Sequence, residues 1–160
     1  MTIIACCTRS RAGLVASLLT VAVVGCGGAH KASNQQLIVR QQVTSAVRSY
    51  LEAQTAGDGQ AACALLTAGG QQQLTALVMQ ASKGLLKTRP SCEDAVGLIR
   101  GLAGAKLLGA LAQARVEHME VTGSRATAQV VDGAQFPAEQ VSLEKVGAAW
   151  KIAAVPGLGG

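Results

Sequence analysis

Aromatic side chains are nearly missing from this 160-residue chain: Tyr50, Phe136 and Trp150 supply 2% of it. Carbohydrate-stacking platforms and single-strand nucleic-acid grooves both need several exposed rings, so neither fits. Basic runs are missing too. The twelve Lys and Arg after residue 25 are scattered from Lys31 to Lys151 against nine acids, a net +3. A nucleic-acid binder concentrates its cations on one helix or ribbon, so nucleic acid is disfavoured as a partner. Histidine occurs only as His30 and His118, too few and too far apart for a metal site. No Gly-rich phosphate loop, Gly-x-Ser-x-Gly or Cys-x-x-Cys is present. Nothing here calls for a cofactor or a metal.

Apolar types are plentiful, 49% of the chain, enough to build one packed domain. Arg9 and Arg11 precede an uncharged apolar stretch, Ala12 to Gly25, of 14 residues. That suits a secretory signal peptide and is short for a membrane span of about 20 residues. An uncleaved anchor is the alternative, because the stretch runs on uncharged through Ala29.

Val23-Val24-Gly25-Cys26 resembles the bacterial lipobox, with Val23 where leucine is commonest. The resemblance implies cleavage after residue 25, loss of Cys6 and Cys7 with the leader, and fatty chains on Cys26. The product would be exported and held at the outer face of the bacterial cell membrane, with residues 26–33 as a flexible tether. Export into an oxidising compartment makes a Cys63–Cys92 disulfide the expected state of the remaining cysteines; two buried free thiols are the rival reading.

Helical signals fill the first part of the mature chain. Ser33 and Gln36 form a capping-box pattern. Val39, Val43, Val47 and Leu51, with Ala46 and Tyr50, make one apolar stripe, which Gly57 stops. Asp58 is placed to cap a short helix, and Gly69-Gly70 predicts the break after it. A segment through Leu74, Leu77, Val78 and Ala81 follows, then a helix capped at Ser91. Its glycines predict a helix that is kinked, split or mobile near Gly101 to Gly104.

From Arg115 the period changes to two. Strands are predicted over 116–121 and 125–131, joined by Thr122-Gly123-Ser124, then around Val141-Leu143 and Trp150-Ile152. Helices first and a meander second predict an α+β domain over 34–155: helices on a curved antiparallel sheet of about four strands, with 156–160 fraying.

The order resembles small nuclear transport factor two-like lipoproteins. The pieces that carry the likeness are Tyr50-Leu51, Ala56-Gly57-Asp58-Gly59, Ala62-Cys63-Ala64-Leu65-Leu66, the Val121-Thr122-Gly123 and Ala126-Thr127-Ala128 pair, and the close through Trp150-Lys151-Ile152. The resemblance implies a cone whose hollow takes a small hydrophobic molecule, or a domain that docks to another envelope protein. It leaves homodimerisation through the sheet's outer face open. Val47, Tyr50, Met119 and Trp150 are the candidate lining. An isomerase- or cyclase-type enzyme is the alternative and needs a buried base. The acids do not offer one: Glu52 and Asp58 sit at a helix end, Glu93 and Asp94 in a first turn, and alternation sends His118 outward with Glu120. No catalytic residue is assigned.

Overall fold

The computed structural model describes residues 28–131 and 137–155, with side chains from residue 34. Residues 1–27, which hold the expected signal peptide and Cys26, and residues 132–136 and 156–160 lie outside the described residues. Four helices precede an open four-stranded antiparallel sheet, so the domain is α+β.

The first helix, α1, spans Gly28–Ala56. It therefore begins before Ser33, which lies inside the helix rather than capping it, and residues 28–33 are helical. Its valine stripe enters the core as the spacing predicts: Val43 and Val47 are fully buried, Tyr50, Leu51 and Ala53 nearly so. A Schellman pattern ends it. Gly57, at φ 74°, donates to the Gln54 carbonyl (3.1 Å), and Asp58 N–H to Ala53 (2.9 Å). Asp58 then caps α2 (Gly59–Ala64) by accepting from Ala61 N–H at 3.0 Å.

The break after α2 is not where the two glycines stand. Gly69 and Gly70 lie in the first turn of α3 (Ala68–Ala81), which Thr67 caps by accepting from Gly70 N–H at 3.1 Å. Leu65 to Thr67 forms the break, and it pairs with the last strand. Thr67 N–H donates to the Ile152 carbonyl (2.9 Å) and Ile152 N–H to Leu65 (2.8 Å). Gly70 is needed for space rather than for turning: a Cβ there would stand 2.6 Å from the Ile152 oxygen.

Helix α4 (Cys92–Ala112) starts at a Ser91 cap, with Glu93 and Asp94 in its first turn. It kinks at Gly104, whose φ of 66° and ψ of 163° interrupt the helical path. Arg100 reaches across to the end of α1, its Nη1 donating to the Ala56 carbonyl at 2.7 Å.

The strands β1 (Arg115–Thr122), β2 (Arg125–Val131), β3 (Glu139–Val146) and β4 (Ala149–Ala154) pair in sequence order. Alternation decides the faces. Ala126, Ala128, Val130, Val141, Leu143, Trp150 and Ile152 point inward and are buried. In β1 a bulge at His118, φ 46°, places one extra residue between Glu117 and Glu120. The shift in phase lets Val116 on one side of it and Met119 and Val121 on the other all pack against the core. The outer edge of β4 is bridged at Leu66.

Candidate functional site

The four residues expected to line a hollow occupy the packed interior or its margin. Val47 is fully buried, Tyr50 and Trp150 are 5% and 4% exposed, and Met119 is half-buried. Around them Val43, Leu66, Val78, Val96, Leu143 and Ile152 are all under 2% exposed, so branched side chains fill the space between helices and sheet.

Two hollows lie instead on the surface. One follows the outward face of α1 and is lined by residues including Leu37, Arg40, Thr44 and Arg48. The other lies where Gln35, Gln36, Val39 and Arg40 meet Val121 and Gly123 of the β1–β2 turn. None of the four expected residues lines either one.

Polar groups inside the domain are few. The Tyr50 hydroxyl accepts a hydrogen bond from Gln54 Nε2, one helical turn on. Burial pushes its phenol well above the ordinary tyrosine value, against a smaller lowering by Gln54, so it stays protonated at neutral pH. Trp150 Nε1 is buried with no hydrogen-bond partner among the described residues. Every described Asp and Glu is exposed or, for Glu117 and Glu139, half-buried, and His118 is exposed on its bulge. The ion pairs Arg115–Glu117 (3.6 Å) and Arg125–Glu144 (3.8 Å) are superficial. No group of three or more potential metal-binding side chains occurs among the described residues.

The Cys63 and Cys92 sulfurs are 1.97 Å apart, disulfide distance, with the Cα atoms at 6.1 Å. They join α2 to the first residue of α4 and close a separation of 29 residues. Comparison with known protein families, curated proteins and solved structures finds no match for this chain.

The most distinctive surface belongs to α4, the helix that Gly104 kinks. Its most apolar stretch has mean hydropathy 1.5, long and apolar enough by length and composition to cross a membrane. Yet only 17% of that stretch is buried, and Leu102 is 69% exposed. The signal was in the sequence: from Ala95 to Ala112 only Arg100 and Lys106 carry charge, so the helix has no broad polar face. Two glutamines also bond to backbone outside their own helix. The Gln73 side chain accepts from Val155 N–H at 3.2 Å and donates to its carbonyl at 3.3 Å, standing in for a neighbouring strand. Gln71 Nε2 donates to the Cys63 carbonyl at 2.8 Å, beside the disulfide.

Proposed function

We propose that the chain is an exported lipoprotein held at the outer face of the bacterial cell membrane through Cys26. In this reading its domain is of the nuclear transport factor two-like kind and works without catalysis, by docking to another envelope protein. The observation that carries the reading is the contrast between a filled interior and an open apolar helix. A carrier of small hydrophobic molecules needs enclosed volume, whereas branched side chains occupy the space where a hollow was expected. A docking module needs exposed apolar surface, which α4 supplies around Leu102. An enzyme of the isomerase type needs a buried base, and Tyr50, held protonated by its surroundings, is poorly suited to that task.

The anchor is supported by the lipobox-like Val23-Val24-Gly25-Cys26 and by the position of Cys26, two residues before α1 begins. Native mass spectrometry of the protein purified from its own envelope tests both parts. The expected product begins at an acylated Cys26 and carries a protein partner that Leu102→Glu releases. A small apolar molecule retained in place of that partner would overturn docking, and a bare Cys26 still joined to Gly25 would overturn the anchor.

A further inference from the structure

Exposed apolar side chains also gather at the other end of α1 from Arg100. Leu37 and Ile38, about three turns into the helix, are 60% and 53% exposed. This stretch of α1 meets the sheet where Gln35, Gln36, Val39 and Arg40 share a hollow with Val121 and Gly123. The β3–β4 turn is tied to the same place, because Lys145 N–H donates to the Ser124 carbonyl at 2.8 Å. Val146, next along, is half exposed at 50%.

Cations accompany these apolar groups. Arg40, Arg125 and Lys145 are all exposed. Between Gly28 and Leu51 the chain carries Lys31, Arg40 and Arg48 and no carboxylate. Glu144 on β3 pairs with Arg125 at 3.8 Å, and Glu120 on β1 is another exposed acid on the sheet. Apolar side chains interleaved with Lys and Arg are what an interfacial surface needs. The hydrocarbon enters the headgroup boundary while the cations meet phosphate. Position agrees with chemistry, since Cys26 precedes Gly28 by two residues.

We infer that this end of the domain rests on an anionic bilayer surface, with Leu37, Ile38 and Val146 in the interface and Arg40 and Lys145 against headgroup phosphates. The inference rests on the reading of Cys26 as the anchor, which decides which end meets the membrane. It also orients the molecule. The Arg100–Ala56 bond ties α4 to the far end of α1, so Leu102 stands away from the lipid. Ile38 and Ala56 are separated by 18 residues, roughly 27 Å of helix at the usual rise.

Single-tryptophan chains test this in the full-length protein. In a Trp150→Phe background, Ile38→Trp or Leu102→Trp is reconstituted with vesicles of phosphatidylglycerol and phosphatidylcholine whose acyl chains are brominated. Tryptophan at 38 is expected to shift to the blue and lose most of its emission to the bromines, while tryptophan at 102 keeps its emission. Arg40→Glu with Lys145→Glu restores emission at 38. The same pair built with Trp150 retained, read as a difference, covers the case in which the phenylalanine disturbs the core. A chain that floats with the vesicles but stays bright at 38, or is quenched equally at 102, overturns the inference alone. A chain that does not float overturns the anchor together with the contact. If mass analysis finds Cys26 bare while 38 is quenched, lipid attachment is refuted and the contact stands.

Discussion

The two long helices, α1 and α4, use their apolar residues in opposite ways. In α1 a narrow stripe from Val43 to Ala53 goes into the core, and the remaining faces carry mostly Arg, Gln, Ser and Thr, with Leu37 and Ile38 exposed toward its start. In α4 only Ala95, Val96 and Ile99 are buried, although apolar residues continue around the helix to Ala112. A stripe tells a helix which side to bury, while an all-round apolar sequence does not; the fold fully buries only residues in the first turns of α4, and Leu111 near its end is half-buried against the core. The excess on α4 is apolar surface beyond what this domain needs for its own core.

Charging equivalent positions on the two helices is the strongest way to break this contrast. Val47→Asp places an unpaired carboxylate among side chains that are fully buried and is expected to cost about 3–5 kcal/mol or more, enough to unfold a domain of ordinary stability. Leu102→Asp, at a 69% exposed site, is expected to change stability by no more than about 0.5 kcal/mol. Urea denaturation of both variants checks the pair. A large loss from Leu102→Asp would mean that α4 is covered within the monomer.

The disulfide sharpens the comparison, because it fixes the start of α4 and has no counterpart on α1. Replacing both Cys63 and Cys92 with serine reopens a separation of 29 residues and is expected to cost ~3–4 kcal/mol if loop entropy dominates. Denaturation with and without reductant measures it directly. The parent should lose stability on reduction and the double variant should not respond. Thiol labelling of the unfolded, unreduced protein should find neither cysteine free.

Much of this contrast was legible in the sequence where one physical rule acts alone. The α1 stripe, the Asp58 and Ser91 caps, the kink at Gly104 and the inward set on β2 each follow from spacing or cap chemistry. Local rules mislead where a residue serves a distant neighbour. Gly69-Gly70 reads locally as a break, but Gly70 is there because α3 passes against the Ile152 carbonyl, 82 residues further along. Ser33 reads as a cap only because nothing local shows that the helix has already begun. Whether buried residues border a hollow is hard to read from sequence for a related reason. A buried Tyr or Trp looks the same in sequence whether it borders empty space or packed side chains, and volume is a property of all the neighbours at once.

A further difference concerns the polar group that α1 buries and α4 does not. Tyr50 is held neutral by burial, so its folded-state pKa lies above the ordinary tyrosine value of the unfolded chain. Above about pH 10 the unfolded state therefore holds fewer protons than the folded one, and this group's contribution to stability falls as pH rises, by at most about 1.4 kcal/mol per unit. Below that range both states keep the proton and the contribution is constant. Tyr50→Phe removes the partner of Gln54 and is expected to cost about 1 kcal/mol at neutral pH. The variant should also decline less steeply than the parent between roughly pH 10 and 11, so the two stability curves draw together there. Parallel curves across that interval would show that the phenol is reached by water, and that the α1 side of the core is looser than its packing implies.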